Sequence, residues 1–183
     1  MNFTALELAG CFIFEPTILR DERGFFMESF NERVFEQFIG QPIHFVQDNQ
    51  SFSERGVLRG MHYQAGEYAQ AKLVRVIQGE VLDVVVDIRP ESATYGKHIS
   101  VLLSDQNKKQ LFIPRGFAHG FLVLSDTASF FYKCDNFYKR EAEGGIYYAD
   151  PDLAIDWNFP ADQMIISEKD LNLPHLANAA KVW

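Results

Sequence analysis

Short apolar runs that alternate every second residue, turn residues between them and scarce helical periodicity predict a mainly β fold: a sandwich, barrel or jelly roll. The alternation is clearest over residues 80–88, with Leu82, Val84, Val86 and Ile88 on one face and Val81, Asp83, Val85 and Asp87 on the other. That pattern is the mark of a strand with one face buried. Similar runs occupy residues 12–15, 25–30, 45–49, 57–63, 72–78, 99–103, 110–113, 117–124 and 129–134. Glu54-Arg55-Gly56, Gln78-Gly79, Arg89-Pro90, Tyr95-Gly96 and Pro114-Arg115-Gly116 supply the turns between them.

One internal helix is expected over residues 31–40. Asn31 can cap it, Val34, Phe35, Phe38 and Ile39 form its apolar stripe, and Gly40 can end it in a left-handed conformation. A second, short helix can start at Ser167, with Asp170 placed as in a capping box. No repeat, linker or low-complexity tract interrupts the chain, so residues 1–183 read as a single domain with a less regular tail over about 150–183.

Composition narrows the function classes. The chain has 183 residues, 47% hydrophobic and 23% charged, within the globular norm. Its 17 Lys and Arg against 25 Asp and Glu leave a net charge of −8, the wrong sign for wrapping nucleic acid or lying on an anionic membrane. No run approaches the ~20 apolar residues of a membrane helix. Residues 1–7 lack a basic segment, and the apolar run around residues 11–14 stops at Glu15-Pro16, so it reads as a strand and not as a signal peptide. Two cysteines, Cys11 and Cys134, point to a reducing cytoplasm.

His44, His98 and His175 sit in polar surroundings and read as surface residues; His62 and His119 differ. His119 closes Pro114-Arg115-Gly116-Phe117-Ala118-His119, which resembles the second motif of the cupin superfamily, a jelly-roll β-barrel in which that histidine often binds a metal. The first motif of metal-binding cupins offers His-x-His and then an acid. Here Gln64 follows His62, and Tyr68 or Ala69 stands where the acid is expected, so no metal site is expected. His62 is then either a hydrogen-bonded core group or a base.

Five blocks decide between them: residues 21–29 (DERGFFMES), 45–51 (FVQDNQS), 56–64 (GVLRGMHYQ), 72–84 (KLVRVIQGEVLDV) and 113–121 (IPRGFAHGF). In order and spacing, from about Leu19 to Asp170, the chain resembles the dTDP-4-dehydrorhamnose 3,5-epimerase family. The resemblance implies a cofactor-free, metal-independent cupin that inverts C3 and C5 of dTDP-4-dehydro-6-deoxyglucose on the way to dTDP-L-rhamnose. Both carbons flank the C4 ketone, so each C–H is acidified by enolate formation. Inversion then needs a base on one face and an acid on the other.

By the same resemblance His62 is the base, Asp170 its carboxylate partner, Tyr132 the acid and Lys72 the cation near the C4 oxygen. Each has a plainer reading. Asp170 can serve only as a cap, with Asp83 as a rival partner for His62; Tyr132 can be core, and Lys72 a solvated strand end. Arg23, Phe26, Glu28, Gln47, Asn49, Arg59, His119, Tyr138, Glu143 and Lys169 match substrate-binding positions, although Glu143 also reads as a solvated loop acid. Strict alternation puts Arg59 and His62 on opposite strand faces, so either Gly60 makes a bulge or Arg59 acts from the rim. Arg23, Phe26 and Glu28 belong to a segment that lies near the dimer partner in this family, which implies a homodimer. Alternatives within reach of the sequence are a single-carbon epimerase of another dTDP-deoxysugar, a non-catalytic nucleotide-sugar-binding cupin and a metal-dependent cupin oxygenase or isomerase.

Overall fold

The computed structural model describes residues 2–182. Fourteen strands are present among them: β1 (Asn2–Ala5), β2 (Phe12–Glu15), β3 (Ile18–Asp21), β4 (Gly24–Met27), β5 (Gln47–Glu54), β6 (Val57–Gln64) and β7 (Lys72–Gln78) in the first half. The second half adds β8 (Glu80–Asp87), β9 (His98–Ser104), β10 (Gln110–Ile113), β11 (Phe117–Val123), β12 (Thr127–Cys134), β13 (Glu143–Gly145) and β14 (Ile165–Ile166). One sheet has the order β1-β2-β10-β7-β12-β5 and the other β13-β6-β11-β8-β9, with β14 joined to β6. Neither sheet closes on itself. The architecture is the cupin-type jelly roll expected, its two sheets packed as a sandwich and not closed into one barrel.

Alternation sorts the side chains as the period-2 pattern requires. Val74, Val76, Leu111, Ile113 and Phe130 of the first sheet meet Val81, Val85, Phe117, Phe121 and Val123 of the second to form the inner core. The outer faces are covered as well. Helix α1 (Glu32–Ile39) lays Phe35 on Phe12, Leu73 and Phe112, while Leu153, Trp157 and Val182 from the C-terminal segment cover Leu82, Val84 and Val86. So β8 is buried on both faces where one was expected, because the less regular tail is itself a layer of the core. Among the described residues, no helix is long and apolar enough to cross a membrane.

Helix α1 is capped as the sequence predicts. Asn31 Oδ1 accepts from the Val34 N–H at 3.3 Å, and Gly40, at φ 76°, donates its own N–H to the Glu36 carbonyl. Helix α2 (Glu168–Leu171) starts at Ser167, whose Oγ accepts from the Asp170 N–H at 3.2 Å.

Several boundaries depart from expectation. The run at residues 25–30 ends as a strand at Met27, and the one at 45–49 is displaced to Gln47–Glu54, a polar stretch held in register by β12. Strands β1, β3, β13 and β14 carry too few alternating residues to be read from sequence. His44 and His175 are both exposed, as expected, the first paired with Glu32 and the second 3.4 Å from Asp150.

Candidate active site

The site begins with an irregularity in β6. Arg59 lies opposite Phe121 and His62 opposite His119, so three steps along β6 match two along β11. Gly60 provides the extra residue, at φ 143°, where a Cβ would stand 2.5 Å from Gly120 Cα. The bulge resets the alternation. Val57, Arg59 and His62 therefore all face inward, while Leu58, Met61 and Tyr63 face the outer core.

His62 meets Asp170, not Asp83. Its Nε2 lies 2.8 Å from Asp170 Oδ1, and Asp170 Oδ2 accepts the Gly60 N–H at 3.2 Å. Ser167 caps the Asp170 N–H, but the Asp170 carboxylate turns to Gly60 and His62, so the side chain is the histidine's partner and not a helix cap. Burial works to raise the Asp170 pKa, but the hydrogen bonds and charge of His62 and the Gly60 N–H outweigh it and hold the carboxyl below its ordinary value. With Nε2 committed, Nδ1 is the nitrogen left to exchange a proton.

The facing wall belongs to the other sheet. Tyr132 on β12 and Lys72 on β7 project inward beside Phe130 and Val74, and the Lys72 ammonium lies 5.8 Å from the Tyr132 ring centre. Burial, reinforced by nearby Cys134, raises the Tyr132 pKa, and burial lowers that of Lys72. His62, Asp170, Tyr132, Lys72, Arg59 and Asn49 share one cavity of about 420 Å³. It runs on past Gln47, Tyr138 and Glu143 into a further 250 Å³.

Around the mouth, Tyr138 Oη donates to Glu143 Oε2 at 3.0 Å and Lys169 Nζ to Glu143 Oε1 at 2.7 Å. Glu143 is no free loop acid, since β13 pairs it opposite Gln64. Gln47 Nε2 donates to Asn49 Oδ1, and Gln47 Oε1 accepts the Tyr138 N–H, so the amides are ordered before any ligand arrives. His119 lines the cavity floor with its Nε2 bonded to Asp83 at 2.9 Å. Among the described residues no three His, Cys, Asp or Glu side chains converge as metal ligands would.

Three of the expected residues lie elsewhere. Arg23, Phe26 and Glu28 belong to the β3–β4 hairpin, a separate two-stranded sheet, and within this chain they do not reach the cavity. Arg23 is largely exposed and pairs with Asp21 of its own hairpin, while Phe26 is 69% exposed. Conversely, the sequence reading missed Phe121 and Phe130, whose rings stack at 4.1 Å beneath the cavity. Each stands two residues from a recognised site residue on its strand, which is the signal that would have found it.

Residues 5–178 match the family model for dTDP-4-dehydrorhamnose 3,5-epimerase. The chain belongs to that family. Its relatives include the dTDP-4-dehydrorhamnose 3,5-epimerase of Shigella flexneri, 55% identical over 172 residues that make up 94% of each chain. Among solved structures, the family member from Elizabethkingia anophelis superposes with a TM-score of 0.95 at 52% identity, over 100% of this chain and 99% of that one. The Legionella pneumophila dTDP-6-deoxy-D-glucose-3,5-epimerase, solved with dTDP-4-keto-L-rhamnose, gives 0.93 at 49% identity over 97% and 93%.

Proposed function

We propose that the protein inverts C3 and C5 of dTDP-4-dehydro-6-deoxy-D-glucose, giving dTDP-4-dehydro-L-rhamnose for dTDP-L-rhamnose biosynthesis. The observation that carries this reading is the opposition of His62, backed by Asp170, to Tyr132, with each residue on a different sheet of one cavity.

His62 takes the proton from the carbon next to the ketone, and the C–H electron pair moves into the new C=C bond as the C4 carbonyl becomes an enolate. Lys72 stabilises the negative oxygen. Asp170 stabilises the imidazolium formed on His62. Tyr132 then returns a proton to the carbon from the opposite face and the carbonyl re-forms; once solvent has taken the proton from His62 and reprotonated Tyr132, the same groups act on the second carbon. The raised Tyr132 pKa keeps its hydroxyl protonated at neutral pH, as an acid requires. Arg59 and Lys169 supply donors for the diphosphate, and Tyr138 a surface for the thymine.

Arg23, Phe26 and Glu28 act on this reading in the cavity of a second copy, so the working unit is a homodimer. Its support is the exposed apolar surface of the hairpin that carries them, Leu19 and Phe26 above all. Light scattering should return twice the chain mass, and a monomer would remove these residues from the site. The activity itself is tested by incubating the protein with the 4-keto sugar nucleotide in D₂O. Deuterium should enter at both C3 and C5; entry at one carbon would make it a single-carbon epimerase, and entry at neither would end the enzyme reading.

A further inference from the structure

Beneath the cavity floor lies a buried carboxyl that takes no part in these steps. Asp83 is fully buried on the inward face of β8, opposite Phe121. Its Oδ2 bonds His119 Nε2, but its Oδ1 is buried with no hydrogen-bond partner among the described residues. A carboxylate oxygen left so is costly unless an opposite charge faces it.

The candidate for that charge is Lys72. It projects inward from β7 on the other sheet, and among the described residues no carboxylate comes within the 4.0 Å of an ion pair. The titratable and charged groups around the two are His119 on β11, His62 and Arg59 on β6, Cys134 and Tyr132, whose hydroxyl pKa burial pushes up, on β12, and Glu143 on β13. Burial pushes the Cys134 thiol up to about 11, so it is uncharged at neutral pH. Glu143 already holds Lys169 and the Tyr138 hydroxyl. His119 is held below its ordinary pKa by burial and contributes no lasting positive charge of its own. Asp83 is the remaining carboxyl: burial raises its pKa, while the His119 bond and the charge of Lys72 work to lower it.

On the enolisation reading given above, we propose that Asp83 is a positioning residue of the site: Oδ2 fixes the His119 ring, and Oδ1 is the counter-charge that keeps Lys72 an ammonium ion in the desolvated cavity. Asp83 lies behind His119 and acts only through these two side chains. Removing its charge lets burial drive Lys72 toward the neutral amine, which cannot stabilise an enolate oxygen.

The test is an NMR titration of protein carrying ¹³Cε-lysine, with the Lys72 signal identified by its loss in Lys72→Met. In Asp83→Asn, which keeps the size of the side chain, the Lys72 midpoint should fall by at least one pH unit. The alkaline limb of kcat for deuterium exchange should move to lower pH with it, and kcat at pH 8 should fall at least tenfold with KM within twofold. An unmoved Lys72 midpoint overturns the proposal. Should Asp83→Asn not fold, the coupling is read from the other side, because the influence of two charges on each other's proton affinity is reciprocal. In Lys72→Met labelled with ¹³Cγ-aspartate, the Asp83 midpoint should rise, and an unchanged midpoint is equally fatal. Neither titration depends on turnover, so a wild-type protein that exchanges no deuterium would defeat the enolisation reading and leave this coupling measurable.

Discussion

Asp170→Asn changes one oxygen to an amide nitrogen and leaves the volume of the side chain intact. Both carboxylate oxygens are hydrogen-bonded, Oδ1 by His62 Nε2 at 2.8 Å and Oδ2 by the Gly60 N–H at 3.2 Å. An asparagine can satisfy only one of them as an acceptor. If its NH₂ turns to Gly60, two donors face each other; if it turns to His62, Nε2 must become the acceptor and the proton moves to Nδ1, the nitrogen the base needs free. Losing the charge-assisted bond to the imidazolium costs about 1.5–3 kcal/mol. At 1.36 kcal/mol for each factor of ten, the first orientation slows proton abstraction roughly 10- to 150-fold. The second takes the base away, and the loss approaches about 10⁴-fold, the scale of an Asp→Asn change that imposes the wrong histidine tautomer elsewhere. Deuterium wash-in at C3 and C5, followed by ¹H NMR at pH 7, should therefore fall between these limits with KM changed less than about threefold. A rate within twofold of wild type would mean that the Asp170 contact only holds structure and that His62 needs no carboxylate.

Three further outcomes follow from the same geometry. Tyr132→Phe should keep much of the deuterium exchange while losing inversion, since the enolate still forms but receives its proton from the wrong face; equal loss of both would remove Tyr132 from the acid's role. Gly60→Ala should lower the melting temperature by on the order of 10 °C in calorimetry, because it adds a strained φ to a 2.5 Å approach to Gly120; an unchanged melting temperature would show that the bulge tolerates a side chain. Burial works to raise the Asp87 pKa, but its hydrogen bonds from Arg89, Ser92 and Thr94 lower it to about 2. A depressed carboxyl stabilises the fold above its unfolded pKa near 4 and loses that contribution as pH falls toward 2, so about 2 kcal/mol should vanish over that window. Asp87→Asn should flatten the acid limb of a urea-stability profile, and a limb as steep as wild type would place the acid sensitivity elsewhere.

The sequence was most informative where one physical rule decided the outcome alone. Period-2 alternation sorted β8 into its two faces, and Asn31 and Gly40 bounded α1, because caps and pleats are local. It was least informative where the outcome depended on distant partners. Strand β5 reads as polar from Gln47 to Glu54 and is a strand because β12 pairs with every one of its residues. Arg59 and His62 could not be placed on one face until Gly60 was seen packed against Gly120, a residue 60 positions away in sequence. The union of His62 with Asp170 spans 108 positions, and only the resemblance carried it. The hairpin residues Arg23, Phe26 and Glu28 mark the limit of single-chain reasoning, for within this chain they stay outside the cavity.

A net charge of −8 repels an anionic ligand at a distance. Net charge governs the field many ångströms away, and salt at physiological strength screens it beyond a Debye length of about 8 Å. Affinity for a diphosphate is set inside that radius, where the cavity gathers Arg59, Lys72 and Lys169. The acids that share the space are already engaged: Asp170 with His62, Glu143 with Lys169 and Tyr138, and Asp83 with His119 beneath the floor. Their negative charge is therefore directed at protein partners, which leaves Arg59 and the ammonium of Lys72 facing the open volume. An acidic protein can thus present cations to a doubly charged ligand, because its carboxylates bond to protein partners instead of lining the space such a ligand would fill.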